Sequence, residues 1–319
     1  METAIALVLT AVGAALLVAG YRLWQRLTSR DWVKEPEERR PPSEPEGPVW
    51  ADGIVCLFAD RFVRPLSRPA TGRDRAFAPL TDQELDPEDF ALQLLYATMA
   101  ELFSEGYLDF RIVPREPTYT PPFPQKAWEL QLRQLRPLPS SPLVNAMSVA
   151  LEMLTGRKKR RRDEEEGWVA IDDVIDRMLR AIRQELSFWE RTTVYGDLRN
   201  YVMDALVAQG YLMAPERSTW LDRLRGKRPQ VNRSVVEGLE EEARGLRERL
   251  VRFRRTYGSP AAQEDLPSDG PLPIQQVDPH LLDADRSLGD LPLDDCLRTS
   301  LYEVLTALRQ LEPSGDAGV

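Results

Sequence analysis

A single histidine, His280, stands in 319 residues, inside a Pro/Asp-rich stretch. One imidazole excludes His-based metal clusters, and no HExxH occurs. His280 as a general base would need a folded pocket, and its neighbours Asp278 and Pro279 read as linker. Two cysteines, Cys56 and Cys296, lie far apart with no CxxC, so no disulfide framework is expected and a reduced compartment fits. The chain also lacks GxxxxGK[ST], GxGxxG after a strand and GxSxG, which removes the common phosphate cradles and the nucleophile elbow. "DADRSLGD" (Asp283–Asp290) does not follow the EF-hand pattern. Among 51 acidic residues no spacing singles out a carboxylate pair for acid–base work. No catalytic residue, cofactor or metal site is expected, and the chain reads as non-enzymatic.

Positive charge is the minority sign. The net charge of −9 argues against broad nucleic-acid binding, because phosphate contacts supply most of that affinity. It leaves room for local basic patches, of which there are two. Arg157, Lys158, Lys159, Arg160, Arg161 and Arg162 run consecutively and are followed by Asp163–Glu166. Arg223, Arg225, Lys227 and Arg228 make a smaller cluster. The first run is a solvated loop offset by its acidic neighbours, a contact for anionic lipid headgroups worth up to ~1 kcal/mol per cation near a membrane, or a nucleic-acid contact; the second, also a candidate lipid contact, sits just after the second Gly-Tyr-Leu, where a wing would be.

One long hydrophobic run is present. Thr3 to Tyr21, "TAIALVLTAVGAALLVAGY", is 19 residues without a charge, enough to span ~30 Å of hydrocarbon at ~1.5 Å per residue. Tyr21 and Trp24 follow where interfacial aromatics belong, then Arg22, Arg26 and Arg30. Glu2 before the run and arginines after it are the wrong polarity for a cleaved secretory signal. The expectation is an uncleaved single-pass anchor in the cell membrane. By the positive-inside rule the N-terminus faces out and the rest is cytoplasmic.

The remainder divides by composition. Residues 1–24 are the transmembrane anchor and 25–49 a Pro/Glu-rich tether that cannot bury apolar surface. Residues 50–257 form the helical domain, 258–292 a Pro/Asp-rich disordered linker, and 293–312 an amphipathic helix that either detaches towards a partner or docks back. Within the domain "GIVCLFA" (Gly53–Ala59) reads as a strand. Asp86–Pro87 reads as an N-cap followed by proline at the first helical position, with a helix to Gly106. "YLDFRIV" alternates as a strand. Helix is expected to resume near Lys126, again from Pro142 to Leu154, from Trp168 to Trp189, around Leu198–Val207, and from Ser234 to Phe253.

One ending occurs twice. "MAELFSEGYL" (Met99–Leu108) and "MDALVAQGYL" (Met203–Leu212) align without a gap at an offset of 104, with five identities in ten positions. In each, an amphipathic helix meets glycine and then a short apolar run. The helix must stop, the chain must reverse, and only glycine takes the left-handed conformation there cheaply. This ending resembles the third helix and first wing strand of a winged helix. The expected fold is therefore mainly α with small β elements, as tandem winged-helix-like units behind one transmembrane helix.

The order "LQLLYATMAELFSEGYLDF", "SSPLVNAMSVALEML", "LRNYVMDALVAQGYL" and "RLRGKRPQ", about half of the chain, is similar to the Golgi phosphoprotein family. That resemblance implies a largely helical fold, phosphoinositide-headgroup binding at a membrane, and an adaptor role. It carries no binding residue over by position. The expected function is an adaptor for a protein partner or anionic lipid headgroups. The alternative is a membrane-tethered winged-helix DNA-binding regulator. It is disfavoured because Phe90–Phe103 holds no Lys or Arg for a groove.

Overall fold

The computed structural model describes residues 48–66, 75–115, 128–158, 167–186, 192–213, 229–260, 267, 270–272, 274 and 291–311, with Arg157 and Lys158 in backbone only. All fall within one of the chain's two units, Glu44–Val319. The helices are α1 (Ala51–Leu57), α2 (Pro87–Ser104), α3 (Pro142–Lys158), α4 (Ile171–Glu185), α5 (Val194–Ala208), α6 (Arg233–Val236), α7 (Glu240–Tyr257) and α8 (Leu293–Gln310). The strands are β1 (Ala76–Phe77), β2 (Glu84–Leu85), β3 (Leu108–Pro114), β4 (Trp128–Gln134), β5 (Val169–Ala170), β6 (Leu212–Met213) and β7 (Gln230–Val231). The described protein is thus mainly helical with small sheets. Among the described residues no helix is long and apolar enough to cross a membrane. The uncharged run Thr3–Tyr21 and the tether up to Gly47 lie outside them.

Helix α2 is the axis. Asp86 caps it, its side chain accepting the Glu88 and Asp89 amides at 3.0 and 3.2 Å, and Pro87 takes the first helical position. From Asp89 to Leu102 every residue is buried, on all faces. α1, α5, α7 and α8 pack around it.

The repeated ending resolves as the same motif made twice. Gly106 and Gly210 take φ of 70° and 84°. The Gly106 amide donates to Phe103 O (2.9 Å) and the Tyr107 amide to Leu102 O (2.8 Å). The Gly210 amide donates to Val207 O (3.1 Å) and the Tyr211 amide to Leu206 O (2.9 Å). Both pairs satisfy the orphan carbonyls of the last turn in the Schellman pattern. A strand leaves each glycine, β3 and β6, and each pairs antiparallel with the strand that follows it, β4 and β7. The two tyrosine carbonyls correspond as well: Tyr107 O accepts the Leu135 amide and Tyr211 O the Asn232 amide, at 2.9 and 3.0 Å.

Three expectations need correction. "GIVCLFA" is not a strand: Ala51–Leu57 is helix, buried on every side, and such a short all-apolar run carries no period to separate helix from strand. Helix does not resume near Lys126. Trp128–Gln134 is β4, pairing with β3 from Leu108↔Gln134 to Pro114↔Trp128. Its burial alternates as "WELQLRQ" does, and the cross-strand partner outweighs the helix propensity of Leu, Gln and Glu. The stretch 258–292 reads as a linker with little to bury, yet its Leu272 and Ile274 are in the core.

α8 docks back. Only its last described residues, Arg309, Gln310 and Leu311, are exposed. A buried polar network ties it to α2 and α7. The Tyr96 hydroxyl donates to Asp294 Oδ1 (2.5 Å), Arg298 Nε to Asp294 Oδ2 (2.9 Å), and Arg254 Nε to the Tyr96 hydroxyl oxygen (3.3 Å). Arg298 also bonds Asp295, whose other oxygen accepts the Ser259 amide at 3.1 Å.

Candidate functional site

The ten basic residues singled out in the sequence, Arg157–Arg162, Arg223, Arg225, Lys227 and Arg228, have no described side chains. What is described is the ground from which the first run departs. α3 carries the chain up to Lys158, and Gly167 brings it back.

The return is held on the outer face of the sheet. In β3 and β4 alternation puts Asp109, Arg111, Glu129, Gln131 and Arg133 on that face. Arg133 pairs with its register partner Asp109 at 3.0 Å, and Arg111 Nε donates to Gln131 Oε1 at 2.9 Å. Both guanidiniums lie over the Trp168 ring, Arg111 at 4.5 Å and Arg133 at 4.7 Å from its centroid. Gly167, next to Trp168, has φ 89° and lies against the Arg133 side chain. Cation–π contacts of this kind contribute ~0.5–1 kcal/mol each at exposed sites.

Between departure and return lies a depression of about 360 Å³, lined by Leu135, Arg136, Leu151, Thr155 and Gly167 among others. Leu135 is 53% exposed, the most exposed large apolar side chain of the β4–α3 connection. Arg136 donates to Glu105 O, a terminal carbonyl of α2, where a cation suits the helix dipole. Its guanidinium stands 3.8 Å over the Tyr107 ring. Tyr107 in turn meets Trp50 edge-on, with centroids 5.9 Å apart. Trp50 is where the chain enters the body, directly before α1. A chain of contacts, Trp50–Tyr107–Arg136, therefore links Trp50 to the depression lined by Thr155 and Gly167, the described residues that flank the arginine-rich run in sequence.

Sequence reasoning missed Arg111, Arg133, Arg136 and Trp168. For Arg133 the signal was the strict alternation of "WELQLRQ", and for Arg111 that of "YLDFRIV", each of which puts charged and polar side chains on one face of a strand; no such pattern marks Arg136 or Trp168.

The displaced titrations fall elsewhere, on groups that hold structure. Burial pushes the Asp89 carboxyl up to about 6, against the Arg64 and Ile274 amides that donate to it at 2.8 and 2.9 Å. Burial likewise raises Asp52, which accepts the Leu143 amide (2.9 Å) and the Ser141 hydroxyl (3.0 Å). The Cys56 thiol is pushed up to about 12 by burial, which leaves it protonated and inert. Among the described residues no group of three or more His, Cys, Asp and Glu could hold a metal ion.

Comparison with protein-family models, with curated proteins and with solved structures returns no match.

Proposed function

We propose that the protein is a non-enzymatic, single-pass membrane adaptor, whose cytoplasmic body holds an arginine-rich loop against anionic lipid headgroups. The observation that supports this reading is a chain of contacts: Trp50 meets Tyr107, Tyr107 lies under Arg136, and Arg136 lines a depression with Thr155 and Gly167, which flank the arginine-rich run in sequence. A bilayer anchor ending near Tyr21, joined by the tether of residues 25–49, would hold the body near the membrane. Contacts too weak to count in solution then gain from high effective concentration. In this reading Thr3–Tyr21 spans the cell membrane with its N-terminus out, and the second cluster, Arg223–Arg228, adds contacts at the β6–β7 hairpin. The two helix–glycine–hairpin units are winged-helix-like, and the adaptor role is of the Golgi phosphoprotein kind.

The DNA-binding alternative gains nothing from the fold. α2, the first helix that would enter a groove, is buried from Asp89 to Leu102. α5, the second, exposes Asp204.

The test uses a chain beginning at Glu44, which leaves out the uncharged run. It should sediment with phosphatidylserine-containing vesicles, not with phosphatidylcholine alone, and lose binding as salt rises. Changing Arg157, Lys158, Lys159, Arg160, Arg161 and Arg162 to Gln should weaken binding about tenfold or more. A folded chain indifferent to vesicle charge would end the proposal.

A further inference from the structure

Leu135 is an apolar side chain held in the open. Its amide donates to Tyr107 O at 2.9 Å, and the Gln134 side-chain amide reaches past it to Arg136 O at 3.0 Å. Arg136 is fixed in turn, by its bond to Glu105 O and by the Tyr107 ring beneath its guanidinium. The main chain around Leu135 is thus pinned to the body, yet the side chain is 53% exposed. It borders the depression of about 360 Å³ whose wall includes Leu151, rather than filling it.

A lone exposed leucine says little by itself. The surroundings of this one say more. Gln134, Leu135, Arg136 and Pro137 are consecutive exposed residues. Arg136 is a cation with no ion pair among the described residues. Behind it stand Tyr107 and Trp50, both half-buried, with ring centroids 5.9 Å apart. An apolar side chain, a guanidinium beside it and Tyr and Trp rings behind match the order of hydrocarbon, phosphate and interface in a bilayer. Met153, 50% exposed, is the contrast. It lies two positions from both Leu151 and Thr155, about 200° around α3 and so on its other side. Its exposed neighbour is Glu152, an acid that an anionic surface repels.

We propose that Gln134–Pro137 is a membrane-insertion element: the Leu135 side chain enters the outer hydrocarbon of an anionic bilayer while the Arg136 guanidinium meets lipid phosphate. The inference rests on the lipid reading above and adds to it a contact that salt does not screen. Arg136 keeps its bond to Glu105 O while meeting phosphate, because a guanidinium carries five N–H donors. Charge then supplies the attraction, and Leu135 supplies the depth.

The test uses the full chain in vesicles and one environment-sensitive, thiol-reactive fluorophore. Cys56 and Cys296 are fully buried, so the label attaches only at an introduced cysteine. Leu135→Cys and Met153→Cys are labelled in turn, both at exposed sites where the change leaves the core intact. In phosphatidylserine-containing vesicles the label at Leu135→Cys should shift to the blue and be quenched several-fold by nitroxide-bearing lipid. The label at Met153→Cys should do neither. In phosphatidylcholine alone the Leu135→Cys label should lose most of its shift. No shift at Leu135→Cys, or an equal shift at both sites, would overturn the inference. The lipid reading fails separately. A chain beginning at Glu44 that ignores vesicle charge ends both, whereas charge-dependent binding with the Leu135→Cys label still in water ends the insertion alone.

Discussion

Asp52 caps a helix to which it does not belong. Its carboxylate, at the start of α1, accepts the Leu143 amide at 2.9 Å, in the first turn of α3 and 91 residues further along the chain. The same oxygen accepts the Ser141 hydroxyl, while the other takes the Gly53 amide at 2.9 Å. Asp52 is fully buried, so these donors have no water to fall back on. Asp52→Ala should lower stability by about 2–4 kcal/mol, from a lost cap and orphaned amides together. Asp52→Asn, which keeps one acceptor oxygen, should lose less. Urea unfolding of both variants checks the order.

The Schellman glycines make a cleaner case, because one of them has room. A Cβ added at Gly106 would meet nothing within 4 Å, so only its φ of 70° resists a side chain. Gly106→Ala should cost about 1 kcal/mol and Gly106→Asn less, since Asn tolerates the left-handed region. Gly210→Ala, at φ 84°, should cost at least as much. Thermal melts of the three variants suffice, with no change expected in secondary-structure content.

These glycines were legible in advance because the left-handed turn leaves a local mark: a helical stripe, a glycine, then alternation. The Asp86–Pro87 cap was legible for the same reason. What could not be read was long-range. Nothing near Asp52 announces a helix start at Pro142, and nothing in "GPLPIQQ" announces the Gln93 and Asp89 side chains that hold it. The misread β4 was different in kind. Its period was in the sequence, and helix-favouring residue types masked it.

Asp89 sets a pH dependence with a defined sign. Its folded value, about 6, lies above the ordinary 3.8, because burial outweighs the two amides and Arg64. The folded state therefore holds its proton more tightly than the unfolded chain. That contribution is fully present below about pH 4 and is lost as pH rises through about 6. Arg64, with Nε 3.7 Å from Asp89 Oδ2, and Asp86, which Arg64 Nη2 approaches at 3.9 Å, are the charged groups facing it. Asp89→Asn should remove up to one proton's worth of slope between pH 4 and 6. It should also lower stability at every pH by about 1–3 kcal/mol, since an amide has one acceptor where two backbone donors point. Denaturant midpoints across that range separate the two effects.

The C-terminal helix should prove indispensable. Cys296, Leu297, Leu301, Val304 and Leu305 are all in the core, and Tyr96 loses Asp294 if α8 is removed. Burial of five such side chains contributes on the order of 10 kcal/mol, comparable with a whole domain's net stability. Residues 50–257 alone should fail to give a cooperative melt, and a chain continuing to Leu311 should give one. Arg298→Ala should be severe by itself, at about 3–5 kcal/mol, because it strands Asp294 and Asp295 as uncompensated buried acids. Arg298→Met should be milder only if Asp294 is changed to Asn with it.

Trp168 offers a way to separate charge from presentation in the lipid-binding proposal. It touches the body through the Arg111 and Arg133 guanidiniums, and the arginine-rich run with its acidic tail ends just before Gly167. Trp168→Ala removes both cation–π contacts, about 1–2 kcal/mol of local order in all, and leaves every cation of the run in place. If the return at Gly167 fixes where those cations point, affinity for phosphatidylserine vesicles should fall several-fold. The slope of affinity against salt concentration should stay the same, since the number of phosphates met does not change. Substituting the run itself should instead flatten that slope. Unchanged vesicle affinity in a Trp168→Ala chain with an intact melt would mean that the run binds as a mere string of charge, and that the sheet holding Trp168 has no part in presenting it.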